Sequence, residues 1–412
     1  MMNRRLDLSA LVRLQRLRRH GVQGAAQQPH GDGRLTEVMG FGSNPGGLRM
    51  LAYVPKNLPK GAPLVVALHG CTQTAAAYDQ GSGWSTMADQ FGFALLLPEQ
   101  RRANNPNLCF NWFEPGDIAR DAGEALSIRQ MVGHMLREHG LDASRVFVTG
   151  LSAGGAMTSV MLATYPEVFA GGAIVAGLPY GAGIGVAEAL QAMARPADLP
   201  AAARGAAVRT AANHHGPWPR VAVWHGEADK TVHPDNASET LKQWLHLHGL
   251  EGAAPNVRRS GGGHAQRAWH GPDGVARVAC HRIAGMAHGV PLRAGEGEGQ
   301  CGVAGAYMLE VGVSSTHEIL AFWGLETVRA GRRAEAIRSP GRAAVIDARA
   351  EEAHGEAPVA VARPVAPKPE AEAKPEAERI MPGGWPSFPV TDPGAVITRA
   401  LQAAGLMGTD RG

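Results

Sequence analysis

The sequence predicts an α/β domain with a mostly parallel central sheet, helices on both faces of that sheet, and disordered tails. Two apolar runs, Pro63–Gly70 and Phe93–Pro98, are continuous rather than alternating, which is typical of parallel strands covered on both faces. Segments with helical patterning, such as Trp84–Phe91 and Ile118–His139, lie between such runs. Because strands that alternate with helices form parallel sheets, we expect functional groups at the carboxyl ends of the strands.

The rest of the domain continues this alternation. A Gly/Ala-rich insert, Gly181–Trp218, separates two of the later strands. The last helix can be capped by Ser314 or Ser315, and Glu318 is placed for a capping box. The other predicted elements are strands at Arg34–Met39, Leu48–Val54, Val146–Thr149, Gly172–Gly177, Arg220–His225 and Val275–Ile283, and helices at Met157–Thr164, Val186–Met193, Asn236–His248 and Ser314–Leu325.

The composition is that of a globular enzyme. Of the 412 residues, 44% are hydrophobic and 19% are charged, which suits a sizeable core. The net charge of +3 is too small to indicate nucleic-acid binding, so no nucleic-acid partner is expected. Apolar runs are all shorter than a membrane span. The basic N-terminus lacks the apolar region and the cleavage site of a secretory signal, which leaves a cytoplasmic or granule-associated location open.

Four regions are expected along the chain. Residues 1–32 form a basic, flexible leader with leucines at helical spacing, and residues 33–328 form the folded domain. Residues 329–384 are rich in Ala, Pro and Glu, and such a linker buries too little apolar surface to fold. In the C-terminal tail, residues 385–412, Asp392 can cap a short helix that ends near Gly405.

One stretch carries the chemistry. In Val146-Phe-Val-Thr-Gly-Leu-Ser-Ala-Gly-Gly-Ala156, a short buried strand leads into Gly150-Leu-Ser-Ala-Gly154, and a helix follows. This is the pattern of a G-x-S-x-G nucleophile elbow, whose sharp turn exposes the hydroxyl group of the serine, here Ser152. The glycines prevent collisions at the turn, and the helix N-terminus favours developing negative charge.

A serine hydroxyl needs a histidine base, which in turn is oriented by a buried carboxylate. After an elbow serine, the expected order is acid, then histidine. Asp229 follows the strand Arg220–His225, and His288 follows the strand Val275–Ile283, so both side chains are expected at strand ends. Glu227 remains an alternative to Asp229. The other histidines considered, namely His264, His281 and His317, precede the last strand, lie within it or sit on a helix.

Hydrolysis also requires two N–H donors that hold the oxyanion. One is expected from the residue after the nucleophile, Ala153, and the other from the turn His69-Gly-Cys-Thr-Gln73. Within that turn we assign the donor to Cys71, with Gly70 as a permissive neighbour. Trp112 and Tyr180 are candidates for binding the apolar parts of a substrate. Each can instead be a core residue, and we prefer that interpretation for Trp84.

Beyond these residues, the chain resembles the polyhydroxybutyrate (PHB) depolymerase-type esterases, which are α/β-hydrolases related to feruloyl and acetylxylan esterases. The resemblance spans roughly Leu48 to Leu325. It implies the α/β-hydrolase fold, a triad carried by Ser152, His288 and Asp229, and hydrolysis of short-acyl esters without metal or organic cofactor. The stretches that carry it are Ala67-Leu-His-Gly-Cys-Thr-Gln73, Leu97-Pro-Glu-Gln100, Cys109-Phe-Asn-Trp-Phe113, Gly150-Leu-Ser-Ala-Gly-Gly-Ala-Met157 and Gly177-Leu-Pro-Tyr-Gly181.

The resemblance also bears on the cysteines, since the family pattern holds a cysteine at the positions of Cys71 and Cys109. Cys280 and Cys301 flank the loop that carries His288. Two disulfides, Cys71–Cys109 and Cys280–Cys301, would brace the oxyanion turn and the histidine loop. Such bridges indicate an oxidising compartment, as for extracellular members of the family. Four free thiols are the alternative.

The expected partner is therefore an ester: a small ester, a hydroxyalkanoate oligomer or a polyester surface. A feruloyl or acetylxylan esterase is the nearest alternative function. A granule- or membrane-associated binding protein, in which the basic N-terminus and the C-terminal helix do the work, is an alternative of another class. The oligomeric state is not indicated by the sequence.

Overall fold

The computed structural model describes residues 33–326. The predicted leader (1–32), linker (329–384) and C-terminal tail (385–412) lie outside the described residues. Every helix in the described part is too short or too polar to cross a lipid bilayer. The strands are β1 (Thr36–Val38), β2 (Arg49–Tyr53), β3 (Leu64–Leu68), β4 (Ala94–Glu99), β5 (Val146–Leu151), β6 (Gly171–Val175), β7 (Arg220–Gly226), β8 (Asn256–Ser260), β9 (His264–His270), β10 (Ala276–Ile283), β11 (Val290–Leu292) and β12 (Met308–Glu310).

Nine helices are found within residues 33–326. Most end at a glycine in the left-handed conformation, which helix ends favour. The helices are α1 (Ala75–Ser82), α2 (Trp84–Phe91), α3 (Pro115–Ile118), α4 (Gly123–His139), α5 (Ala153–Thr164), α6 (Gly185–Ala194), α7 (Ala201–Ala212), α8 (Asp235–His248) and α9 (Ser315–Trp323).

Ten strands form one sheet in the order β1-β2-β4-β3-β5-β6-β7-β10-β9-β8. The six central strands, from β4 to β10, are parallel to one another. The outer strands pair antiparallel, β1 and β2 at one edge and β9 and β8 at the other. The predicted, mostly parallel sheet is thus confirmed, and it continues into antiparallel pairs at both ends.

Two buried hydrophobic clusters cover the two faces of the sheet. On one face, side chains from α4, α5, α7 and α8 pack on the strands, with Met131, Val160 and Trp244 among them. On the other face, α1, α2 and α9 supply residues such as Tyr78 and Trp323. The central strands are buried along their whole length because both of their faces are covered. Helices on both faces are therefore confirmed.

Three local predictions need correction. The helix predicted for Ile118–His139 begins only at Gly123, because Ile118 is the last residue of the short helix α3 and Asp121, between the two helices, adopts positive φ. The Ser314 hydroxyl accepts from the backbone N–H of His317, so Ser314 rather than Ser315 is the N-cap of α9. Glu318 makes no capping box: its carboxylate instead accepts a hydrogen bond from Arg258, 2.6 Å away.

Candidate active site

Ser152 stands between the end of β5 and the start of α5, as predicted for an elbow. Its backbone has φ 58° and ψ −117°, a strained conformation for a residue with a side chain. The backbone N–H of Ser152 donates to the carbonyl of Val175 at the end of the neighbouring strand β6, 2.9 Å away. That bond holds the turn against the sheet. A Cβ on Gly150 would come within 2.4 Å of the carbonyl oxygen of Gly154, so this elbow requires glycine at position 150.

Asp229 and His288 are joined by a short hydrogen bond. His288 Nδ1 lies 2.7 Å from Asp229 Oδ2, and both side chains are buried. The other carboxylate oxygen of Asp229 accepts from the backbone N–H groups of Thr231 (2.8 Å) and Val232 (2.9 Å). Burial alone would raise the pKa of Asp229. Hydrogen bonds from His225 and His288 outweigh that effect and hold the pKa below its usual range.

Strand pairing brings these two residues together. Asp229 follows β7 and His288 follows β10, and these two strands are parallel neighbours. The loops after them are also bonded directly, since the backbone N–H of Ala228 donates to the carbonyl of Met286, 2.9 Å away. A Cβ on Gly226 would come within 2.2 Å of that same carbonyl oxygen, so the loops pack backbone to backbone. The sheet thereby sets the carboxylate and the imidazole in register.

Ser152 follows β5 at the same carboxyl edge of the sheet. Within residues 33–326, no hydrogen bond joins its hydroxyl to His288. Each of the two residues is 9% exposed, so both are near the surface but largely covered. Hydrogen bonds between a nucleophile and its base are often loose before substrate binds. The structure therefore brings together two members of the predicted triad and sets the third on the same edge.

The turn after β3 presents one backbone N–H group without a partner. Gly70 donates to Gln73 Oε1 (2.9 Å), and Thr72 donates to the carbonyl of Asn107 (2.7 Å). The N–H of Cys71, between them, makes no hydrogen bond within the described part of the chain. Ala153 is the first residue of α5, where N–H groups have no partner within the helix. Both N–H groups are therefore available to an oxyanion, and their role in holding one remains a prediction.

Cys71 and Cys109 form a disulfide, as predicted. The second predicted bridge is wrong, because Cys280 and Cys301 are both free thiols. Cys280 belongs to the hydrophobic cluster on one face of the sheet and Cys301 to the cluster on the opposite face. Side chains of a strand alternate between the two faces, so the register of β10 directs Cys280 away from Cys301.

The predicted substrate-contacting aromatic residues differ in exposure. Trp112 is 7% exposed and contacts Phe113 edge to face, so most of its ring belongs to the core. Tyr180 is half-buried, and its backbone N–H donates to Gln243 Oε1, 3.0 Å away. Trp84 is fully buried against Trp323, which confirms its interpretation as a core residue. A role in binding substrate remains a prediction for Trp112 and Tyr180.

Within residues 33–326, the rival candidates make no hydrogen bond to Ser152, Asp229 or His288. His264 and His281 are bonded to each other at 3.0 Å inside the sheet, and His317 contacts Glu326. Glu227 is exposed, and its backbone bonds to Ile283. Within residues 33–326, no three His, Cys, Asp or Glu side chains gather in a group that could bind a metal ion.

Sequence reasoning missed a buried carboxyl group beneath the oxyanion turn. Glu124, in the first turn of α4, accepts from the side-chain amide of Gln100 and from the backbone N–H of Asn111. Burial raises the pKa of Glu124 to about 8. Gln100 also donates to the carbonyl of Cys109, 3.0 Å away, so this group supports the loop that carries the disulfide. The signal available in the sequence was the position of Glu124, a carboxylic acid on the apolar side of the amphipathic helix α4.

His69 and His225 were missed as well. The backbone N–H of Gln100 donates to His69 Nε2 at 3.1 Å, which ties β4 to the oxyanion turn. Burial lowers the pKa of His69. His225, near the end of β7, contacts Asp229 at 3.3 Å. Both residues come directly before a glycine at the end of a predicted strand, and that position was the available signal.

Comparisons with known proteins agree with this geometry. A solved structure, the acetyl xylan esterase from Aspergillus awamori, superimposes with a TM-score of 0.59 at 26% identity, over 71% of this chain and 100% of that one. Poly(3-hydroxyalkanoate) depolymerase C of Paucimonas lemoignei is 48% identical over 292 residues, which are 71% of this chain and 70% of that protein. Feruloyl esterase B of Neurospora crassa is 39% identical, over 53% of this chain and 76% of that protein.

A family model for the PHB depolymerase esterases matches residues 50–268, more than half of the chain. The depolymerase of Paucimonas lemoignei matches over a similarly large part of both chains. These two matches establish the family to which the chain belongs. The chain belongs to the PHB depolymerase family of esterases, with the α/β-hydrolase fold, and is a carboxylic-ester hydrolase.

Proposed function

We propose that the protein hydrolyses short-chain, 3-hydroxyalkanoate-like esters, as oligomers or as polyester, with Ser152 as nucleophile, His288 as base and Asp229 as the group that orients His288. The observation that carries this proposal is the 2.7 Å hydrogen bond between His288 and Asp229, on the edge of the sheet that also carries the elbow. A carboxylate bonded to Nδ1 holds an imidazole in the tautomer whose Nε2 can accept a proton.

The steps follow from these positions. His288 takes the proton of Ser152 as the hydroxyl oxygen attacks the ester carbonyl carbon. The N–H groups of Cys71 and Ala153 stabilise the resulting oxyanion. The alcohol leaves with the proton from His288, and water then hydrolyses the acyl-enzyme by the reverse use of the same groups. Asp229 stays ionised throughout, which its lowered pKa supports.

The substrate class is supported by relatives. The depolymerase of Paucimonas lemoignei is named for poly(3-hydroxyalkanoate), and its identity with this chain, 48%, exceeds that of the feruloyl and acetylxylan esterases, 39% and 35%. An esterase for feruloyl or acetylxylan groups is the second candidate. It is favoured by the full coverage of the Aspergillus awamori acetyl xylan esterase in the structural comparison.

The experiment compares hydrolysis of 3-hydroxybutyrate oligomers, p-nitrophenyl butyrate, methyl ferulate and acetylated xylan. We expect the highest kcat/KM on the oligomers among the natural esters. We also expect Ser152→Ala to abolish turnover and labelling by a fluorophosphonate, while Ser144→Ala, at an exposed serine, leaves both unchanged. Undiminished labelling of Ser152→Ala would falsify the serine assignment, and faster cleavage of the ferulate or xylan ester would favour the second candidate.

The Cys71–Cys109 bridge supports a further part of the proposal, an oxidising compartment, which includes the extracellular space. Alkylation of the protein as isolated from its source, before any reduction, tests it. Two free thiols per chain are expected, and four would contradict the proposal.

A granule- or membrane-binding role for the tails concerns segments outside the described residues. It would be favoured if co-sedimentation with granules or anionic vesicles depended on the tails while ester hydrolysis stayed negligible.

A further inference from the structure

His225 is buried beside the Asp229–His288 pair and has one unusual nitrogen. Its side chain is 1% exposed. His225 Nε2 lies 2.8 Å from the carbonyl oxygen of Val232 and 3.3 Å from Asp229 Oδ2. Since both of these neighbours are acceptors, Nε2 must carry the proton. The other nitrogen, Nδ1, is buried without a hydrogen-bond partner among the described residues. A buried polar atom without a partner costs free energy, and an apolar residue here would avoid that cost.

The contacts of His225 close the loop that carries Asp229. The backbone N–H of Val232 donates to Asp229 Oδ1, while the carbonyl of Val232 accepts from His225 Nε2. His225 itself belongs to β7, so its imidazole ties the far end of the loop to the strand before it. The Asp229 carboxylate is therefore held by hydrogen bonds from the loop backbone, and the loop backbone is in turn held by the side chain of His225.

His225 and His288 meet the same carboxylate oxygen. His288 Nδ1 lies 2.7 Å from Asp229 Oδ2, and His225 Nε2 is the second imidazole donor near that oxygen. A second donor fixes the rotamer of the carboxylate and draws off part of its charge. With less charge on Oδ2, the protonated form of His288 is stabilised less.

We infer that His225 is a positioning residue for the reaction: through Nε2 it fixes the Asp229 carboxylate and weakens the hold of that carboxylate on the proton of His288. This inference rests on the function proposed above. It assigns His225 no contact with substrate. The inference also explains why a histidine, rather than an apolar residue, stands at this buried position. The proposed role uses Nε2 and does not require a partner for Nδ1.

Other ionisable groups around the pair are already engaged or exposed. Arg282 is the β10 residue in register with His225, and its guanidinium donates to the carbonyl of Pro234 and to the hydroxyl of Ser238. The Tyr307 ring lies 6.1 Å from the His288 ring, and burial raises the pKa of Tyr307. Glu227 and Lys230 of the same loop are exposed. A substitution of His225 leaves all of these in place.

Two variants of similar length and shape test the inference. His225→Met removes the donor, whereas His225→Gln retains an N–H at about the reach of Nε2. For His225→Met we expect kcat to fall on the order of tenfold with little change in KM. The acid limb of kcat/KM should move to higher pH, because Asp229 then holds the proton of His288 more strongly. His225→Gln should restore both the rate and the pH profile.

A second readout does not depend on turnover. In the proton NMR spectrum, the downfield resonance of the His288 Nδ1–H should shift in His225→Met and return in His225→Gln. An unchanged resonance and pH profile in His225→Met, or a His225→Gln protein that behaves like His225→Met, would overturn the inference. If Ser152→Ala kept its activity, the proposed function would fail instead, and the resonance would still report on the contact between His225 and Asp229.

Discussion

Gly154 lies directly against the carbonyl oxygen of Leu68: a Cβ on residue 154 would come within 2.3 Å of that oxygen. Leu68 ends β3, which leads into the oxyanion turn, and Gly154 is in the first turn of the elbow helix α5. The two donors proposed for the oxyanion, Cys71 and Ala153, are therefore held at a fixed separation by contact between two backbones.

Gly154→Ala should damage both stability and turnover. The neighbouring atom is backbone, so the added methyl group cannot be accommodated by a rotamer change. We expect a loss of about 1–3 kcal/mol in the free energy of unfolding. Misplacement of the donors should lower kcat by roughly 10²-fold. Urea denaturation and kinetics on p-nitrophenyl butyrate measure the two effects. Gly252→Ala is the control, since no atom lies within 4 Å of a Cβ there, and equal behaviour of the two variants would contradict the prediction.

Asp229→Asn should lower kcat by roughly 10⁴-fold with little change in KM, because an amide no longer holds His288 in the required tautomer. Steady-state kinetics on p-nitrophenyl butyrate is the measurement. Glu227→Gln provides the matched comparison, because Glu227 is the exposed acid two residues away. The assignment of the acid would have to be reversed if Glu227→Gln lost activity and Asp229→Asn kept it.

Removing the bridge with the double variant Cys71→Ala/Cys109→Ala should destabilise the fold. The bridge closes a loop between cysteines 38 positions apart, and loop-closure entropy predicts a loss of about 4 kcal/mol. Guanidinium denaturation measures it. Reductant should lower the midpoint of the wild-type protein and leave that of the double variant unchanged. A wild-type midpoint that reductant does not move would contradict the prediction.

Acid should destabilise the protein through a buried histidine pair. Burial lowers the pKa of both His264 and His281, which lie 3.0 Å apart. Below the ordinary histidine pKa, the unfolded chain therefore binds protons at these two residues that the folded chain does not bind. The contribution of the pair is therefore complete above about pH 6.5 and is lost as the pH falls below that value. The raised pKa of Glu124 has the opposite effect, because the folded chain binds a proton there that the unfolded chain releases. The effect of the pair is therefore measured as the change in urea midpoint from pH 8 to pH 5.5 in the wild-type protein relative to the same change in a variant without His281.

His281→Phe tests this cause, because a phenyl ring can retain the stacking of His281 on Trp224 without a group that titrates. We expect the change from pH 8 to pH 5.5 to be less destabilising in this variant than in the wild-type protein. His69 and His248, whose pKa values burial also lowers, contribute equally to both proteins. A pH dependence equal to that of the wild type would exclude His281 as a source of the effect.

The parts of the fold that sequence could predict are those with local signals. The continuous apolar strands and the Gly-x-Ser-x-Gly turn are properties of neighbouring residues, so β3, β5 and the elbow were predictable. By contrast, β8 is exposed along its whole length and shows no alternation of apolar and polar residues. Nothing in its pattern predicted the hairpin that β8 forms with β9.

The missing parts of the candidate site depend on long-range packing. Whether Cys280 can meet Cys301 is decided by the face of β10 on which Cys280 lies, and strand register is not local information. The same holds for Glu124, whose partners Gln100 and Asn111 come from other loops. Asp229 and His288 were predictable individually from strand ends. Their contact and the additional role of His225 required the pairing of β7 with β10.

The buried group around Glu124 has a consequence for combining substitutions. Gln100 and Asn111 both donate to Glu124, and Gln100 also bonds to Cys109. A change at either Gln100 or Glu124 breaks the hydrogen bond between them. Each single substitution therefore already removes most of the stability that this bond contributes. The energetic costs of the two changes will not be additive: the double variant will lose less stability than the sum of the two. The stability effects of substitutions in the loops around the oxyanion turn are thus coupled to one another.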